Sequence, residues 1–537
     1  MNELQEIEDF IASDSIQKNS KKDFHIVLIS LYSFNPFGIY AIGNVLRSHG
    51  FRVSYIFFKN YFSDRMNLPA EAEYKEILDL VKKLKPNIVG VGAASTFAPV
   101  AFDLISSIRT LDIPVIMGGA HAIYNPEHCI KHADFVCIGE GEVAMLKLAY
   151  ALFTGGHCHS IKNLWIKEND RIIRNDLYPL IQNLDIIPLP DFSSEDKYFI
   201  ENGKLYIGEA YYKKNTGWYI FMSGRGCPFS CSFCSNSYLK NHYKGKGPLL
   251  RSRSVNNVIE ELKNAKSVFP RLSFVASNDE IFGLNKEWLV DFVEKYKKDI
   301  KIPFHCDIHP SKVTDEMIAL LKGMGLRTIT MGVQSGSELI RREVFNRNTP
   351  NTMIIKCAYI FKKYNVFPHF DFILDNPLGS SEEIMETLKL LSDLPRPFVV
   401  NTYALQYLPN TNLTLLLLSK GIIKETDIEG YDTKGFKEFH VVVNRENNQD
   451  SLFAYKVCKM YSYFFPIVTR HLNFRLAVFP KWVIGFIVKR NYFFKRRPFI
   501  LDGLCVLGKS FEKFGKGLSL LLDWNISKLY ERIFLQP

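Results

Sequence analysis

From Phe24 to Phe153 short apolar runs alternate with amphipathic stretches. His25–Ser30, Phe51–Phe58, Asn87–Ala93, Ile113–Met117 and Ala133–Ile138 read as buried strands. Between them Ile39–His49, stopped by Gly50, and Ala70–Leu84, stopped ahead of Lys85-Pro86, repeat at helical spacing, as do the stretches ending at Arg109 and Phe153. Strand–helix alternation predicts a parallel, doubly wound, Rossmann-like sheet. In such a sheet ligands lie on the loops past the C-terminal strand ends. Those loops supply Gly38, Ser95, Thr96, Gly118, Gly119, His121, Gly139, Glu140, Gly141 and Glu142 as candidate binding residues. The fingerprint G-x-G-x-x-G is missing after the first strand, which disfavours a dinucleotide.

A second alternation follows. Tyr219–Met222, Ser273–Ala276, Pro303–Asp307, Arg327–Val333, Phe367–Leu374 and Phe398–Tyr403 read as strands separated by helices, with Ser254 as an N-cap. Six βα units predict a partial (β/α)6 barrel, whose function sits on the loops after the strands. That rule selects Asn278-Asp279-Glu280, Gln334-Ser335-Gly336-Ser337 and Asp375-Asn376-Pro377. The expected organisation is a disordered tail over 1–22, the Rossmann-like domain over 23–155, a connector over 156–215, the barrel over 216–435 and a mostly helical region over 436–537. The prolines of Leu184–Phe192 favour an extended crossing in the connector.

Chemistry concentrates in Ser223–Ser235, SGRGCPFSCSFCS. Cys227, Cys231 and Cys234 put three thiolates on one short loop, and Gly224 and Gly226 allow tight backbone. Cysteine thiolates are the usual ligands of iron–sulfur clusters, and three of them leave the fourth iron of a 4Fe–4S cubane open. Structural zinc wants a fourth ligand at matching spacing, and no second C-x-x-C exists in the chain. The other cysteines, of ten in all, are scattered singly, which suits a reducing cytoplasm rather than a disulfide framework.

The cysteine spacing, with the aromatic Phe233 before the last cysteine, resembles the radical-SAM superfamily. The resemblance implies that the open iron chelates S-adenosylmethionine, with Phe233 near its adenine. Gly332–Ser337 resembles the family's fourth-strand motif; Gln334 and Ser335 would bind ribose hydroxyls or the methionine carboxylate, and Arg347 would pair with that carboxylate. Asp279 and Glu280 could accept hydrogen bonds from its amino group. Leu374–Gly379 departs from the usual glycine-proline-glycine-glutamate run after strand five.

Gly38, Gly118–His121, Pro126-Glu127 and Gly139–Glu142 resemble the cobalamin-binding domain fused to many radical-SAM enzymes, over roughly Phe24–Leu152. Where related proteins that place a histidine on cobalt carry D-x-H-x-x-G, this chain has Tyr32-Ser33-Phe34-Asn35. A corrinoid here is therefore expected to lack a histidine ligand, with His121 in a structural role.

The implied function is a cytoplasmic, cobalamin-dependent radical-SAM enzyme. It would cleave S-adenosylmethionine to a 5′-deoxyadenosyl radical and methylate an unactivated carbon of a small or lipid-like metabolite. The alternatives are a radical cyclase or rearrangement enzyme on the same scaffold, and a protein that keeps the cluster as a sensor or structural element. A methylthiotransferase is disfavoured, because Cys129, Cys137 and Cys158 are misplaced for a second cluster. No catalytic side chain is identifiable, and the reductant would be a donor such as flavodoxin or ferredoxin.

Charge adds one feature. Net charge is +11, and Ser451–Pro537 alone carries fifteen Lys and Arg against four Asp and Glu, so the whole excess lies there, interleaved with aromatics. Two readings stand: a helical cap over the barrel mouth, or peripheral contact with the anionic inner membrane surface through 451–537. Nucleic acid is disfavoured, since no RNA-binding signature accompanies the basic residues. No apolar window reaches spanning length, and the acidic start MNELQEIEDF lacks the apolar stretch of a signal peptide.

Overall fold

Every residue of β1 (His25–Leu31) is buried, as expected of a strand covered on both faces. The structure, a computed structural model, describes residues 3–12, 21–33, 36–60, 68–193, 195–208 and 217–429, with parts of 453–510. It divides into two compact units, 1–303 with 407–437, and 304–406 with 438–537.

In the first unit, β1, β2 (Arg52–Phe58), β3 (Ile88–Gly92), β4 (Val115–Gly118) and β5 (Phe135–Cys137) form the expected parallel sheet. β1 pairs with β2 on one side and β3 on the other, so the winding reverses there. Such a switch point is where open α/β sheets bind ligands.

The connector does more than cross. It supplies the hairpins β6 (Leu164–Glu168)/β7 (Arg171–Arg174) and β8 (Lys197–Glu201)/β9 (Lys204–Ile207), which extend the sheet to nine strands in the order β7-β6-β5-β4-β3-β1-β2-β8-β9. Their turns carry left-handed Asn169, Asn202 and Gly203, the chemistry of tight hairpins. The expected tail also differs, since Glu3–Ala12 is a helix with Ile7 and Ile11 buried. Glu8 accepts from the backbone N–H of Gln182 and Asn183, and His49 Nε2 lies 3.0 Å from Ile11 O. Apolar residues at helical spacing hide there among acidic ones. The first unit continues with parallel β10 (Trp218–Phe221) and β13 (Phe274–Ser277) and the small antiparallel clip β11 (Gly224–Arg225)/β12 (Arg251–Ser252).

The second unit holds β14 (Phe304–Ile308), β15 (Leu326–Gln334), β16 (Phe367–Ile373) and β17 (Val399–Tyr403), parallel and in order. All six expected barrel strands are present. Along β14 and β17 each buried residue alternates with a half-buried one. One face, with Phe304, Cys306 and Val400, is core; the other, with His305, Asp307 and Asn401, stays accessible.

The turn after β15 is packed backbone to backbone. Gly336 N donates to Thr387 Oγ1 at 2.8 Å, and a Cβ on Gly336 would fall 2.2 Å from Thr387 Cα. Thr387 lies within the helix Ser381–Asp393 and cannot move alone. Gly336→Ala should therefore destabilise this unit by about 3 kcal/mol or more. An unchanged denaturant midpoint would contradict this packing.

Of the C-terminal region, Phe453, Val457 and Met460 are core. Tyr461 is buried; it stacks on Phe398 at 5.7 Å and its hydroxyl lies 2.6 Å from Ser392 Oγ. The region is not all helical, since Phe464–Val468 and Asn473–Ala477 pair as antiparallel strands. The helix Lys481–Lys489 buries Ile484 and Ile487 and leaves Phe486 exposed. Lys495-Arg496-Arg497 and Tyr492–Phe494 lie outside the described residues. Among those described, no helix is long and apolar enough to cross a membrane.

Candidate cluster and cofactor site

The cysteine loop leaves β10 through a turn that only glycine tolerates. A Cβ on Gly224 would meet Arg251 O at 2.6 Å; one on Gly226, whose φ is +90°, would meet Leu249 O at 2.5 Å. After the loop, Cys234 caps the helix Ser235–His242, where the positive end of the helix favours a thiolate. Lys240 ties that helix back to the loop through Pro228 O, Phe229 O and Ser230 Oγ. Cys231 is buried, and Cys227 and Cys234 are half-buried. Burial pushes the Cys227 thiol up to about 11 and that of Cys234 upward, with Glu280 and the neighbouring cysteines adding to the rise.

Cys227 and Cys234 therefore hold their protons at neutral pH until a metal displaces them. Among the described residues no three His, Cys, Asp or Glu converge closely enough to hold a single ion. A cubane takes each cysteine on a different iron, so this donor set fits a three-cysteine 4Fe–4S cluster.

Asp279 sits under the root of the loop. Its carboxylate accepts from Ser223 N at 2.8 Å, Gly224 N at 2.9 Å, Ser223 Oγ at 2.6 Å and Ser277 Oγ at 2.6 Å. Burial pushes the carboxyl up, against these bonds. Sequence reasoning selected Asp279 for its position after the strand; the structure engages its carboxylate within the loop. Glu280 is exposed and within electrostatic reach of Cys227 and Cys234, and Phe233 is half-buried in the loop.

In the second unit Gln334, Ser335 and Arg347 gather at the end of β15. Gln334 is left-handed, with φ 74°, at a break in the β15–β16 register. Ser335 Oγ donates to Glu383 at 3.0 Å, and Arg347 donates to Gly332 O at 2.6 Å. Sequence reasoning missed Arg341, which is fully buried and donates to Ser335 O, Thr349 O and Asn351 Oδ1. It also missed the polar set on the accessible strand face. There His305 bonds Thr328 and Asp307, and Asn401 donates to Asp371 at 2.8 Å. Polar residues alternating with buried apolar ones, as in HCD and HFD, were the available signal.

In the first unit a cavity of about 410 Å³ opens at the strand-end loops of the sheet. Gly38, Gly118, Gly119 and Gly139–Glu142 line one side; Leu184 and Ile187–Pro190 of the connector line another. Gly224 and Arg225, at the root of the cysteine loop, complete it. A Cβ on Gly38 would meet no protein atom within 4 Å, and one on Gly118 would meet only Cys137 Cβ at 3.7 Å. Their missing side chains thus leave a cradle that a flat, bulky ligand can enter, and the residues present fit a corrinoid. Glu140 and Glu142 face arginines here, at 2.9 and 2.5 Å from Arg225.

Ser95, Thr96 and His121 are not on the cavity wall. His121 Nδ1 lies 3.2 Å from Ser95 Oγ, and its ring packs edge-on against Phe102 at 5.8 Å. Burial lowers its pKa to about 4. With no histidine among the described residues of the wall, a bound corrinoid should show no imidazole hyperfine splitting in the electron paramagnetic resonance of its cobalt(II) state. His121→Ala should leave that spectrum unchanged, and a splitting that disappears in this variant would contradict the geometry.

Comparison with known proteins finds two family matches. Residues 221–404 match the Radical SAM superfamily, and residues 25–149 match the B12 binding domain. An uncharacterized methyltransferase of Pyrococcus horikoshii is 28% identical over 378 residues, covering 68% of this chain and 77% of that protein. The anaerobic magnesium-protoporphyrin IX monomethyl ester cyclase of Cereibacter sphaeroides is 24% identical over 334 residues, 60% of this chain and 51% of that protein. Among solved structures, the radical S-adenosylmethionine methyltransferase TsrM of Kitasatospora setae, with cobalamin and a [4Fe-4S] cluster bound, is similar in fold. It has a TM-score of 0.61 at 15% identity and covers 84% of this chain and 83% of that one.

Proposed function

The chain is a radical-SAM protein with an N-terminal B12-binding domain, and from that premise we propose that it methylates an unactivated carbon of a small polar metabolite. The observation that carries this is one of placement: the root of the cysteine loop forms part of the wall of the glycine-lined cavity. When bound, the cluster supplies the electron that splits S-adenosylmethionine, and the corrinoid supplies the methyl group.

The chain's own residues bind and orient. Cys227, Cys231 and Cys234 hold the cluster. Glu280 and Phe233 serve the S-adenosylmethionine beside it, and Gln334, Ser335 and Arg347 are assigned to its polar groups. Gly38 and Gly118 let the corrinoid approach the backbone, Gly119, Gly139 and Gly141 shape the wall by packing against Ala93, Asn163 and Ile42, and Leu184 and Pro188–Pro190 keep water from it. Ser95 and His121, bonded to each other, sit beside the lining residues Gly119 and Ala120.

The polarity of the accessible face of β14–β17 supports a small polar substrate. Burial, with Asp307 adding to it, pushes Asp371 up to about 7 from an ordinary 3.8. A carboxyl with a raised folded pKa favours the fold fully at low pH, and that contribution is lost as pH rises from 4 through 7. Asp371→Asn should therefore raise the melting temperature at pH 8, by an amount that shrinks as pH falls towards 4, while lowering turnover. A stability gain that is the same at pH 8 and pH 5 would contradict the raised pKa.

The cyclase reading keeps one support, the similarity to the magnesium-protoporphyrin cyclase over 60% of the chain. One experiment separates the readings. The anaerobically reconstituted protein, reduced and supplied with hydroxocobalamin and S-adenosylmethionine, is assayed for two products. Methyl transfer gives S-adenosylhomocysteine together with 5′-deoxyadenosine, whereas the cyclase reading gives 5′-deoxyadenosine alone. Release of neither would sink the enzyme reading. The electron would come from a donor such as flavodoxin or ferredoxin. Peripheral contact with an anionic surface through 451–537, and with it a lipid-like substrate, is tested by sedimentation with anionic liposomes.

A further inference from the structure

Four charged side chains remain outside this scheme. Arg225 and Arg251 stand directly opposite each other in the β11/β12 clip, two residues ahead of Cys227 in the case of Arg225. Like charges at opposed ladder positions repel. Both are neutralised from one place, the Gly139–Glu142 turn. Arg225 reaches Glu140 at 2.9 Å and Glu142 at 2.5 Å; Arg251 reaches Glu140 with two hydrogen bonds of 2.6 and 3.0 Å. Glu142 and Arg251 side chains are only 4% and 3% exposed. Although burial raises the Glu140 carboxyl, the two arginines win and hold it well below the carboxylate range.

The same turn is gripped from the far side of the cysteine loop. Glu140 N donates to Tyr243 Oη at 2.9 Å, and His242 Nε2 lies 2.7 Å from Ile138 O. His242 and Tyr243 end the helix that Cys234 caps. The turn that borders the cofactor cavity therefore holds the cysteine loop by both its flanks.

We propose that Glu140, Glu142, Arg225 and Arg251 are positioning residues that lock the cysteine loop to the wall of the corrinoid cavity, so that filling either site tightens the other. The inference rests on the proposed corrinoid and cluster. Arg251 grips Glu140 bidentately and Arg225 spans Glu140 and Glu142 with its two ends, so a shift of the loop on cluster assembly must move Glu140 and Glu142, which line the cavity. Coupling between two sites is reciprocal.

The test compares hydroxocobalamin affinity, by absorbance titration, in the cluster-loaded full chain and in the same chain before iron is added. The wild type should bind at least ~5-fold more tightly once the cluster is in place. Glu142→Gln should keep its iron but reduce that ratio below ~2-fold, and Arg225→Lys, which keeps the charge but loses the fork, should lie between. If Glu142→Gln does not take up iron, Arg225→Lys decides. A wild-type ratio of one, or a variant with the wild-type ratio and only a lower melting temperature, would overturn the lock and leave a plain structural bridge. If no hydroxocobalamin binds in either state, the corrinoid reading fails and the lock with it, an outcome distinct from binding with a ratio of one.

Discussion

Cys231→Ala should yield a protein without iron, without broad visible absorption and without release of 5′-deoxyadenosine. The loss of turnover should be at least ~10⁶-fold, because without the cluster only the uncatalysed reaction remains. Cys231 is the most enclosed of the three thiols, 7% exposed, and its carbonyl accepts from Cys234 N at 3.0 Å. It thus fixes the loop as well as one iron. Two remaining thiolates cannot offset the proton release and loop ordering that cluster binding requires. Cys231→Ser, which keeps the volume, should fail equally, whereas alanine at buried Cys306 or Cys357 should leave the iron in place. Full iron content in Cys231→Ala would remove the cluster assignment, and everything proposed for S-adenosylmethionine would fall with it.

What could be read from the sequence followed from burial. Strands covered on both faces are continuously apolar, so β1 to β5 stood out, and the barrel strands stood out by alternating buried with half-buried positions, all with boundaries within a residue or two. The two connector hairpins were missed although Asn169-Asp170 and Asn202-Gly203 mark their turns, because the outer strands β7 and β9 are half exposed and β8 has charged Lys197 and Glu201 at its ends around only three apolar residues. The helix Glu3–Ala12 was missed because its charged face dominates its composition. Site residues show the same division. Position after a strand end selected Glu140 and Asp279 as loop residues, whereas Gly118, also chosen as a loop residue, is the last residue of β4. It could not say what their side chains touch, since Glu140 meets Arg251 and Asp279 meets Ser223 across long separations in sequence. A carboxylate after a strand reads the same whether it awaits a ligand or holds up a loop.

Asp279 shows how much that difference matters. Asp279→Ala would strip four donors of their acceptor in a buried setting. The Ser223 and Ser277 hydroxyls can turn to other acceptors, but the Ser223 and Gly224 N–H groups cannot. Each stranded buried donor costs ~1–3 kcal/mol, so the two together set a loss of ~2–6 kcal/mol. Against a typical total of ~5–15 kcal/mol, that would severely weaken the first unit. The damage is also local, because Ser223 and Gly224 lead straight into Arg225 and Cys227. The loop would lose its footing before the rest of the unit, so iron content should fall by more than half in protein that is still folded. Asp279→Asn should be milder, since its amide oxygen still accepts and its NH₂ can donate to a serine hydroxyl. Iron per chain and 5′-deoxyadenosine release, measured for both variants beside Glu280→Gln, decide the matter. Glu280→Gln should keep its iron and weaken only the use of S-adenosylmethionine, because its exposed carboxylate lies within electrostatic reach of the Cys227 and Cys234 thiols. Wild-type iron in Asp279→Ala would mean that the glycine turn and the arginine clip hold the loop unaided.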